Sequence, residues 1–401
     1  MDTTFNAQSR TETTPWSAVI CMMLTSFVLV ASEFMPVSLL TPIADELAIT
    51  AGQAGQAISV SGFFAVITAL LSNVVLGRFD RRMVVLAYTA VLIASGLMVT
   101  FAPNYLLFMV GRALIGVSIG GYWSLSTAIV ARLASGPDVP KALAMLQGGS
   151  ALAAVIAAPL GSFLGGLIGW RGAFFVVVPV GVAAFLWQVV ALPRMPGGSR
   201  GSLARTFSLM GNRTFALGMM AMILFFVGQF ALSTYLRPFL EDITHLGVNA
   251  LSLVLLGIGL AGLVGTWFIP SILRSHMAHI MIGFPAILAL VALALFGLGP
   301  FALATTGLLL LWGLLTTPVP AAWTTWMTRV IPNRLEEGGA WFVALIQFAI
   351  TSGAFAGGLL FDRVGWWSPF VLTAVAMLGA ALIAVILTLA TSDQNRGSQI
   401  V

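Results

Sequence analysis

Residues 16–42, with the sequence WSAVICMMLTSFVLVASEFMPVSLLTP, form a long apolar run in which Glu33 is the only charged residue. Roughly 20 mostly apolar residues are enough for a helix to cross a bilayer, so the run predicts a transmembrane helix. A carboxylate in hydrocarbon is costly and is usually paired, placed on a water-filled path or protonated. Glu33 therefore either reaches water near the membrane interface or binds a proton in a transport path, and we favour the second interpretation.

The composition indicates a polytopic membrane protein. Hydrophobic residues make up 59% of the 401 residues and charged residues 8%, against roughly 25% charged in a soluble domain. We expect an all-α membrane protein, because open sheet edges are not tolerated in lipid. Cys21 is the only cysteine, which excludes an internal disulfide. The net charge of +5 is spread over many loops, so we expect the lipid bilayer as a partner and no nucleic acid.

Twelve apolar segments follow one another along the chain, enough for twelve transmembrane helices. Their expected bounds are good to a few residues only, as is usual for boundaries taken from hydropathy. They are 16–42, 52–77, 83–102, 105–131, 141–166, 173–192, 214–238, 249–271, 277–299, 301–328, 338–361 and 367–390.

The basic residues predict the orientation of these segments. With the N-terminus placed inside, fourteen of the 18 lysines and arginines fall on the cytoplasmic side. Only Arg171, Arg237 and Arg363 fall outside, and Arg112 is left within a span. Cytoplasmic loops of membrane proteins carry such an excess, so both termini are expected in the cytoplasm. The apolar run after the polar first fifteen residues is too long for a signal-peptide core, so we expect no cleaved signal.

The longest loop divides the chain into two sets of six segments. Residues 193–213 are rich in Gly, Pro, Ser and Arg and contain no acid, which is typical of a flexible linker. We therefore predict an N-terminal half at 1–192, a cytoplasmic linker at 193–213 and a C-terminal half at 214–401.

The two halves share a pattern at a spacing of 196 residues. Gly161, Gly169-Trp170 and Phe174 match Gly357, Gly365-Trp366 and Phe370, and Glu33-Phe34 matches Gln229-Phe230. Six spans preserve orientation, so the halves are predicted to be parallel repeats about an axis along the membrane normal, an arrangement found in transporters. At this spacing Glu33 has a neutral counterpart, Gln229, and Arg112 an apolar one, Leu308. Only the first half keeps the charges.

Arg112 and Glu33 are predicted to lie at matched depth. Each is about eight or nine residues from the outer end of its segment, which places both roughly 12–13 Å below the outer surface. Opposite charges at one depth could form a buried ion pair or share a proton site. Alternatively each finds separate backbone or water partners. We favour the pair.

Polar and aromatic side chains on several segments are candidates for binding a solute. Aromatic faces stack on flat rings, whereas amides and hydroxyls bond to ring edges and sugar hydroxyls. Trp and Tyr near helix ends can instead be interfacial anchors, which applies to Tyr235 in particular. The candidates are Tyr122, Trp123, Gln147, Gln229, Tyr235, Thr317, Trp323 and Gln347.

The fifth segment carries a stripe of small residues. Pro159 and the glycines Gly161, Gly165 and Gly169 are spaced so that another helix can approach closely. Many membrane bundles contain such stripes, so the stripe alone predicts packing rather than a function.

Signals for enzymes and metal sites are missing from the sequence. Lys141 is the only lysine, and no phosphate-binding glycine loop precedes it. His276 and His279 lie in a predicted loop without a nearby acid or thiol, so we expect no metal. No arrangement of catalytic side chains is evident, and we expect neither an enzyme nor a cofactor.

With these residues described, the chain resembles the drug:proton antiporter group of the major facilitator superfamily over nearly its whole length. Arg112-x3-Gly116 matches the family's fourth-helix motif, and Pro159-Leu-Gly161 to Gly169 matches its fifth-helix antiporter motif. The family's loop between helices 2 and 3 is matched only in part, by Arg78, Asp80, Arg81 and Arg82. Its acid is displaced to Asp80, so the family's charge latch there is not carried over.

Within that group the chain is similar to bacterial purine ribonucleoside exporters, for example in Glu33 to Pro42 and in Thr234-Tyr-Leu-Arg-Pro238. The resemblance implies two six-helix halves, alternating access, and export of inosine-like nucleosides and purine bases in exchange for protons. It associates the Arg112 motif with proton coupling, and from its position within a span we expect Glu33 to carry the proton. We also expect a monomer. The alternatives are a drug or sugar exporter of the same superfamily, or a membrane sensor or scaffold that transports nothing.

Overall fold

The computed structural model describes residues 14–197, 208–332 and 334–397, and these residues form helices and short connections without a strand. The all-α prediction is confirmed. The α-helices, labelled in chain order, are α1 (Trp16–Leu47), α2 (Ala51–Val75), α3 (Arg81–Thr100), α4 (Tyr105–Leu133), α5 (Val139–Ala191), α6 (Arg213–Thr234), α7 (Leu236–Asp242), α8 (Val248–Leu298), α9 (Ala302–Thr316), α10 (Val319–Val330), α11 (Leu335–Val364) and α12 (Ser368–Gly397).

Short polar side chains mark where several of these helices begin. The first N–H groups of a helix have no partner within it, and a side-chain oxygen at the N-cap can accept from one of them. Thr50 does so for α2, Asp80 for α3, Asn104 for α4 and Asn212 for α6. The apolar segments are therefore delimited by caps as well as by hydropathy.

The described part of the chain contains eleven helical stretches that are long and apolar enough to cross a membrane. One of them, Lys141–Ala191, is interrupted at Gly169, whose backbone is not helical. Counted as two spans, it brings the total to the twelve predicted segments. The break at Gly169 lies between the fifth predicted segment, 141–166, and the sixth, 173–192, so the boundary between them is correctly placed.

Three details of the helices differ from the sequence-based segments. The tenth segment is divided between α9 and α10 by Pro318, and the seventh ends in the short helix α7, which contains Pro238. Proline cannot donate the helical hydrogen bond, which explains both breaks. The third detail is that helical backbone continues through 270–276, where a loop was predicted. The two predicted spans are nevertheless present as 248–269 and 277–298. The chain reverses between them, because the residues next to both ends of α8 contact the same segment, Leu240 by Leu246 and Phe239 by Gly299. The predicted linker lies partly outside the described residues, at 198–207.

Each half builds its own apolar core. In the first half the cluster includes Val19, Met22, Ile119 and Tyr122, all fully buried. In the second half a larger cluster surrounds the buried rings of aromatic residues on α6, α7, α10 and α12, which include Phe215, Phe225, Phe239, Trp326 and Phe370. These two clusters are consistent with the predicted halves, whose boundaries remain a prediction.

Matched positions of the two halves have the same local structure, which supports the internal duplication. Gly169 and Gly365, 196 residues apart, are the glycines with positive φ in the described chain, at 74° and 130°. The aromatic pairs beside them also repeat. The rings of Trp170 and Phe174 meet edge to face at 6.2 Å, and those of Trp366 and Phe370 do so at 6.1 Å.

We expect Gly169→Ala to destabilise the protein by about 1–3 kcal/mol, although no atom lies within 4 Å of the added methyl group. The reason is the backbone, since φ 74° with ψ 165° is a region that is almost restricted to glycine. Gly148→Ala is the matched control, because Gly148 also has free space around it but lies in regular helix. That change should be neutral or slightly stabilising. Thermal unfolding in detergent measures both, and equal melting temperatures would contradict the backbone argument.

The glycine stripe of α5 brings this helix against α1. A side chain at Gly161 would collide with Ser38 and Met35, and one at Gly165 would collide with Leu39. Farther along, Gly149 packs on the backbone of Met23. Small residues therefore allow close contact along much of α1, which holds in place the helix that carries Glu33.

Candidate functional site

Two prolines expose backbone carbonyls in the middle of α1. A proline has no N–H to donate to the carbonyl four residues earlier, so Pro36 leaves the Ser32 oxygen without its helical partner and Pro42 leaves the Ser38 oxygen. A buried carbonyl without a partner is unfavourable, and another donor must satisfy it. In both places the donor is an arginine from a different helix.

Arg112 of α4 binds the first of these carbonyls. Its side chain is 1% exposed, and its Nη1 donates to the Ser32 oxygen at 2.8 Å while Nη2 donates to the backbone oxygen of Glu33 at 2.9 Å. On the other side Nε donates to the Ala57 oxygen at 3.1 Å and Nη2 to the Ser61 hydroxyl at 3.2 Å. One guanidinium therefore ties α1, α2 and α4 together.

Gly116 explains how Arg112 can reach α2. It lies one turn farther along α4, where a side chain would collide with the Ser61 carbonyl, so the two backbones are in close contact. Gly120 meets Ala65 in the same way one turn later. The spacing between Arg112 and Gly116 thus has a physical reason, since the small residue brings the acceptors of α2 within reach of the guanidinium.

The expected ion pair between Arg112 and Glu33 is not formed in this conformation. The guanidinium contacts the backbone oxygen of Glu33, not its carboxylate. Among the described residues, the carboxylate has one hydrogen bond, which Gln347 of α11 donates through Nε2 at 3.2 Å. Two carbonyls of α1, those of Ser32 and Glu33, take the place that the sequence assigned to the acid. Pro36 explains why the Ser32 oxygen needs a donor from outside its helix.

Several polar atoms around Glu33 are buried without a partner among the described residues. They are the Oε1 atom of Gln347, which bonds to Glu33, and the hydroxyl of Thr351, one turn from Gln347 on α11. The Oε1 atom of Gln229, next to Phe230 on α6, is also buried without such a partner. Glu33 is 3% exposed and Gln347 is 7% exposed. A buried acceptor without a donor is rare and requires an explanation, such as a bound water or ligand.

The residues after Glu33 and Gln229 meet between the halves. The rings of Phe34 and Phe230 stack at 5.6 Å with an angle of 23° between their planes. These two positions are related by the repeat, so the stack lies where the two halves face each other. Trp123 is half-buried and packs on the same small cluster of α1 and α5 residues as Phe34. Of the predicted solute contacts, Gln347 bonds to Glu33 directly. Gln229 precedes the ring that stacks on Phe34, and Trp123 packs on the same cluster as Phe34.

The other predicted solute contacts lie elsewhere. Tyr122 is fully buried in the core of the first half, where its hydroxyl donates to the Met22 oxygen at 2.5 Å. Trp323 is 4% exposed and packs edge to face on Trp326 in the core of the second half. Thr317 is exposed at the break between α9 and α10, against Gly262 of α8. Gln147 is exposed on α5.

Tyr235 lies at one end of the molecule, where the halves are joined. We call this the sealed end, and it consists of residues 38–55 of the first half with residues 235–242 and 354–362 of the second. The Tyr235 hydroxyl donates to the Ala354 oxygen at 2.8 Å, and its ring fills the space beside Gly55. Its aromatic side chain therefore closes the sealed end.

Arg237 binds the second exposed carbonyl of α1. Its Nη1 donates to the Ser38 oxygen across the two halves, and its Nε and Nη2 contact the Glu241 carboxylate at 2.9 and 2.8 Å. Glu241 in turn accepts from the Thr41 hydroxyl at 2.5 Å. The sequence counted Arg237 only as an outer basic residue. Pro42, four residues after Ser38, was the signal that could have predicted its partner.

Asp362 at the end of α11 caps α2 of the opposite half. Its carboxylate accepts from the Thr50 hydroxyl at 2.5 Å and from the Gly52 N–H at 3.0 Å. A carboxylate is favourable at a helix N-terminus, where the first N–H groups are free. Nothing in the sequence indicated this contact, which joins residues more than 300 positions apart.

The degenerate loop between α2 and α3 has a structural role in this conformation. Asp80 accepts from the backbone N–H of Arg82 at 2.9 Å and from that of Met195 at 3.3 Å. The Arg81 N–H donates to the Met195 oxygen at 2.8 Å, and Arg82 reaches the carbonyl of Val189 at 2.5 Å. Arg78 meets Gly197 through its backbone. The loop therefore holds the end of α5 and the chain that follows it.

We expect Arg112→Lys to destabilise the protein by roughly 2–3 kcal/mol. Lysine keeps the charge but has one donor group, so it cannot satisfy the three carbonyls and the hydroxyl that the planar guanidinium reaches. Each buried acceptor left unpaired costs about 1–3 kcal/mol. Thermal unfolding of purified protein measures the loss. Arg363→Lys, at the exposed end of α11, is the control, and an equal effect in both variants would contradict this role of Arg112.

No group of three or more His, Cys, Asp or Glu that could hold a metal occurs among the described residues.

A family model described as Major Facilitator Superfamily matches residues 22–337. The chain belongs to the Major Facilitator Superfamily. As a member of this superfamily with about eleven to twelve apolar spans, it is a multi-pass membrane protein of a transporter family.

Some relatives of this chain are described as efflux pumps, and another is described as a regulatory protein. The purine ribonucleoside efflux pump NepI of Escherichia coli is 40% identical over 92% of this chain and 93% of its own, as is that of Salmonella typhimurium. The protein OpdE of Pseudomonas aeruginosa, described as a transcription regulatory protein, is 48% identical over the same shares.

A solved structure has the same fold. A point variant of the nucleoside transporter NupG superposes with a TM-score of 0.74, covering 92% of this chain and 99% of that one, at 13% identity. At this identity the likeness concerns the fold alone. It confirms the predicted major facilitator fold.

Proposed function

We propose that this protein exports purine ribonucleosides, such as inosine, in exchange for protons. The observation that carries the proposal is the state of Glu33. Its carboxyl group is buried, forms no ion pair among the described residues, and bonds to Gln347, whose amide oxygen has no donor among them. Such a group can take up and release a proton as the site changes its exposure, because the neutral form is the one that an apolar site tolerates.

The unpaired atoms around Glu33 suit a solute that brings hydrogen-bond donors. The amide oxygens of Gln229 and Gln347 can accept, and a ribonucleoside offers ribose hydroxyls and base N–H groups. The rings of Phe34, Phe230 and Trp123 provide apolar faces near them, on which a planar base can stack. Similarity to pumps described as purine ribonucleoside exporters supports this solute class.

The orientation belongs to the same proposal. The excess of arginine in the predicted cytoplasmic loops supports a bacterial inner-membrane protein with both termini on the cytoplasmic side. The sealed end, which includes the C-terminus of α1 and the N-terminus of α2, then faces the outside of the cell. In this interpretation the structure is the state closed to the outside, and alternating access requires the contacts of Arg237 and Asp362 to open.

The test is uptake of labelled inosine into everted membrane vesicles with an imposed gradient, acidic inside. An exporter that exchanges solute for protons accumulates inosine in the lumen, and dissipating the gradient abolishes the accumulation. Vesicles without the protein are the control. Failure of well-folded protein to move inosine would exclude the nucleoside, and chloramphenicol-like drugs and arabinose or lactose analogues would then test the drug and sugar alternatives.

A second candidate, membrane-bound regulation of gene expression, is favoured by one observation, the 48% identity to OpdE. In that case deletion of the gene would change transcript levels, and a Glu33→Gln protein that moves no solute would still restore them. Transcript levels that follow transport activity across variants would assign the regulation to the exported solute instead.

A further inference from the structure

Gln347 is the side chain that joins the Glu33 carboxyl group to the opposite half. It lies on α11, is 93% buried, and donates from Nε2 to Glu33 Oε1 at 3.2 Å. Its own Oε1 has no partner among the described residues. One end of this amide is thus committed to the acid while the other end is left for something else.

The charge of Glu33 determines which end of the Gln347 amide group faces the Glu33 carboxyl group. An ionised carboxylate has no proton to donate and only accepts. The amide nitrogen of Gln347 must therefore face it, and the amide oxygen must face away. In this state Gln347 offers an acceptor, which is favourable for a solute that donates N–H or O–H.

Protonation reverses the requirement. A neutral carboxyl group carries an O–H that needs an acceptor, and the free amide oxygen of Gln347 is the unpaired acceptor on the adjacent side chain. Turning the amide by half a rotation forms that bond. The NH2 group then faces the solute, where it opposes a donor instead of accepting from it.

We propose that Gln347 is the coupling residue of the exchange, since its amide presents an acceptor to the solute when Glu33 is ionised and a donor when Glu33 is protonated. The inference rests on the proposed antiport function. It makes proton and solute exclude each other without direct contact between them. Exchange requires such a difference in affinity, since a ligand that binds both states equally shifts nothing.

Few charges compete with this arrangement. From α4, Arg112 faces Glu33 and holds its backbone oxygen through Nη2. The central parts of the other helices that surround the site contain no Asp, Glu, Lys, Arg or His, namely 52–75 of α2, 142–170 of α5, 214–234 of α6 and 338–361 of α11. Titration near the site is therefore expected to belong to Glu33.

The test measures inosine affinity against pH for purified protein in nanodiscs. For the wild type, the affinity for inosine should fall about tenfold for each unit by which the pH is lowered through the range where Glu33 is protonated. Tenfold per unit is the limit for one competing proton. Gln347→Met keeps the size of the side chain and removes the amide. We expect weaker binding with less than about twofold change over the same pH range, as in Glu33→Gln.

Gln229→Met is the matched control, because Gln229 also has a buried free amide oxygen but no bond to Glu33 among the described residues. It should bind more weakly and keep the pH dependence. Gln347→Asn retains an amide on a shorter side chain and should lose the dependence as the methionine variant does. A pH profile in the Gln347 variants equal to that of the wild type would overturn the inference.

A readout without solute separates this inference from the nucleoside proposal. Infrared difference spectra between high and low pH should contain a carboxylic-acid band that is absent in Glu33→Gln. Gln347→Met should shift that band, whereas Gln229→Met should leave it in place. An unshifted band in Gln347→Met would overturn the coupling role even if inosine is transported, and a shifted band without inosine transport would retain that role and reject only the nucleoside.

Discussion

Glu33→Gln is expected to abolish gradient-driven accumulation of inosine, down to the level of vesicles without the protein. Glutamine has nearly the shape of the protonated acid but cannot release a proton, so the imposed gradient no longer acts on the site. The same residue type already stands at the repeat-related position, Gln229, so the substitution is compatible with the fold. Accumulation in everted vesicles measures the effect.

Exchange of inosine without a gradient distinguishes lost coupling from lost transport. In preloaded vesicles Glu33→Gln should still exchange inosine, with weaker binding than the wild type, whereas the step that needs a proton should fail. Glu46→Gln is the matched control, because Glu46 lies on the same helix but bonds to Arg171 and Trp170 at the sealed end. Undiminished accumulation in Glu33→Gln would place the proton site elsewhere.

A disulfide across the sealed end is expected to stop transport completely and reversibly. Thr50→Cys combined with Asp362→Cys, in a Cys21→Ser background, replaces two side chains that are in contact at 2.5 Å on opposite halves. Side chains in such contact are near the separation that a disulfide requires. Oxidation should block inosine uptake, and reduction should restore it, because the proposed alternating access requires the sealed end to open and separate these residues.

A second cysteine pair controls for oxidation itself. The Thr14 hydroxyl and the Asp138 carboxylate are also in contact at 2.5 Å, but both belong to the first half. Thr14→Cys with Asp138→Cys should therefore cross-link without loss of transport. Full activity of the oxidised pair at Thr50 and Asp362, with the cross-link verified by mass, would show that this end does not open during transport.

Most of the fold could be predicted because hydropathy and glycine act locally. A span needs only a run of apolar residues, and the break at Gly169 coincides with a gap between two such runs. The duplication was visible because Gly169 and Gly365 need a backbone conformation that other residues avoid. Glu33 and Arg112 stood out because charged residues within spans are rare.

The contacts of the candidate site were harder to predict. A tryptophan can stack on a solute or pack in an apolar core, and the residue type does not distinguish the two. Trp323 was therefore expected at the solute but lies in a core. The partner of Arg112 was expected to be an acid, although Pro36 leaves a carbonyl free beside it. The bond between Asp362 and Thr50 depends on how two halves dock, which no local pattern contains.

The two prolines of α1 also determine how this helix can move. At each proline one helical hydrogen bond is missing, so bending there requires less free energy than in regular helix. Near Pro36, α1 is bound by Arg112 of the first half, and near Pro42 it is bound by Arg237 of the second half. Helix α1 therefore has two points of low bending stiffness, and it is attached to one half of the transporter at the first and to the other half at the second. The part of α1 after Pro42 can stay with the second half while the part before Pro36 stays with the first, so we expect part of the conformational cycle to take place by flexing within this single helix.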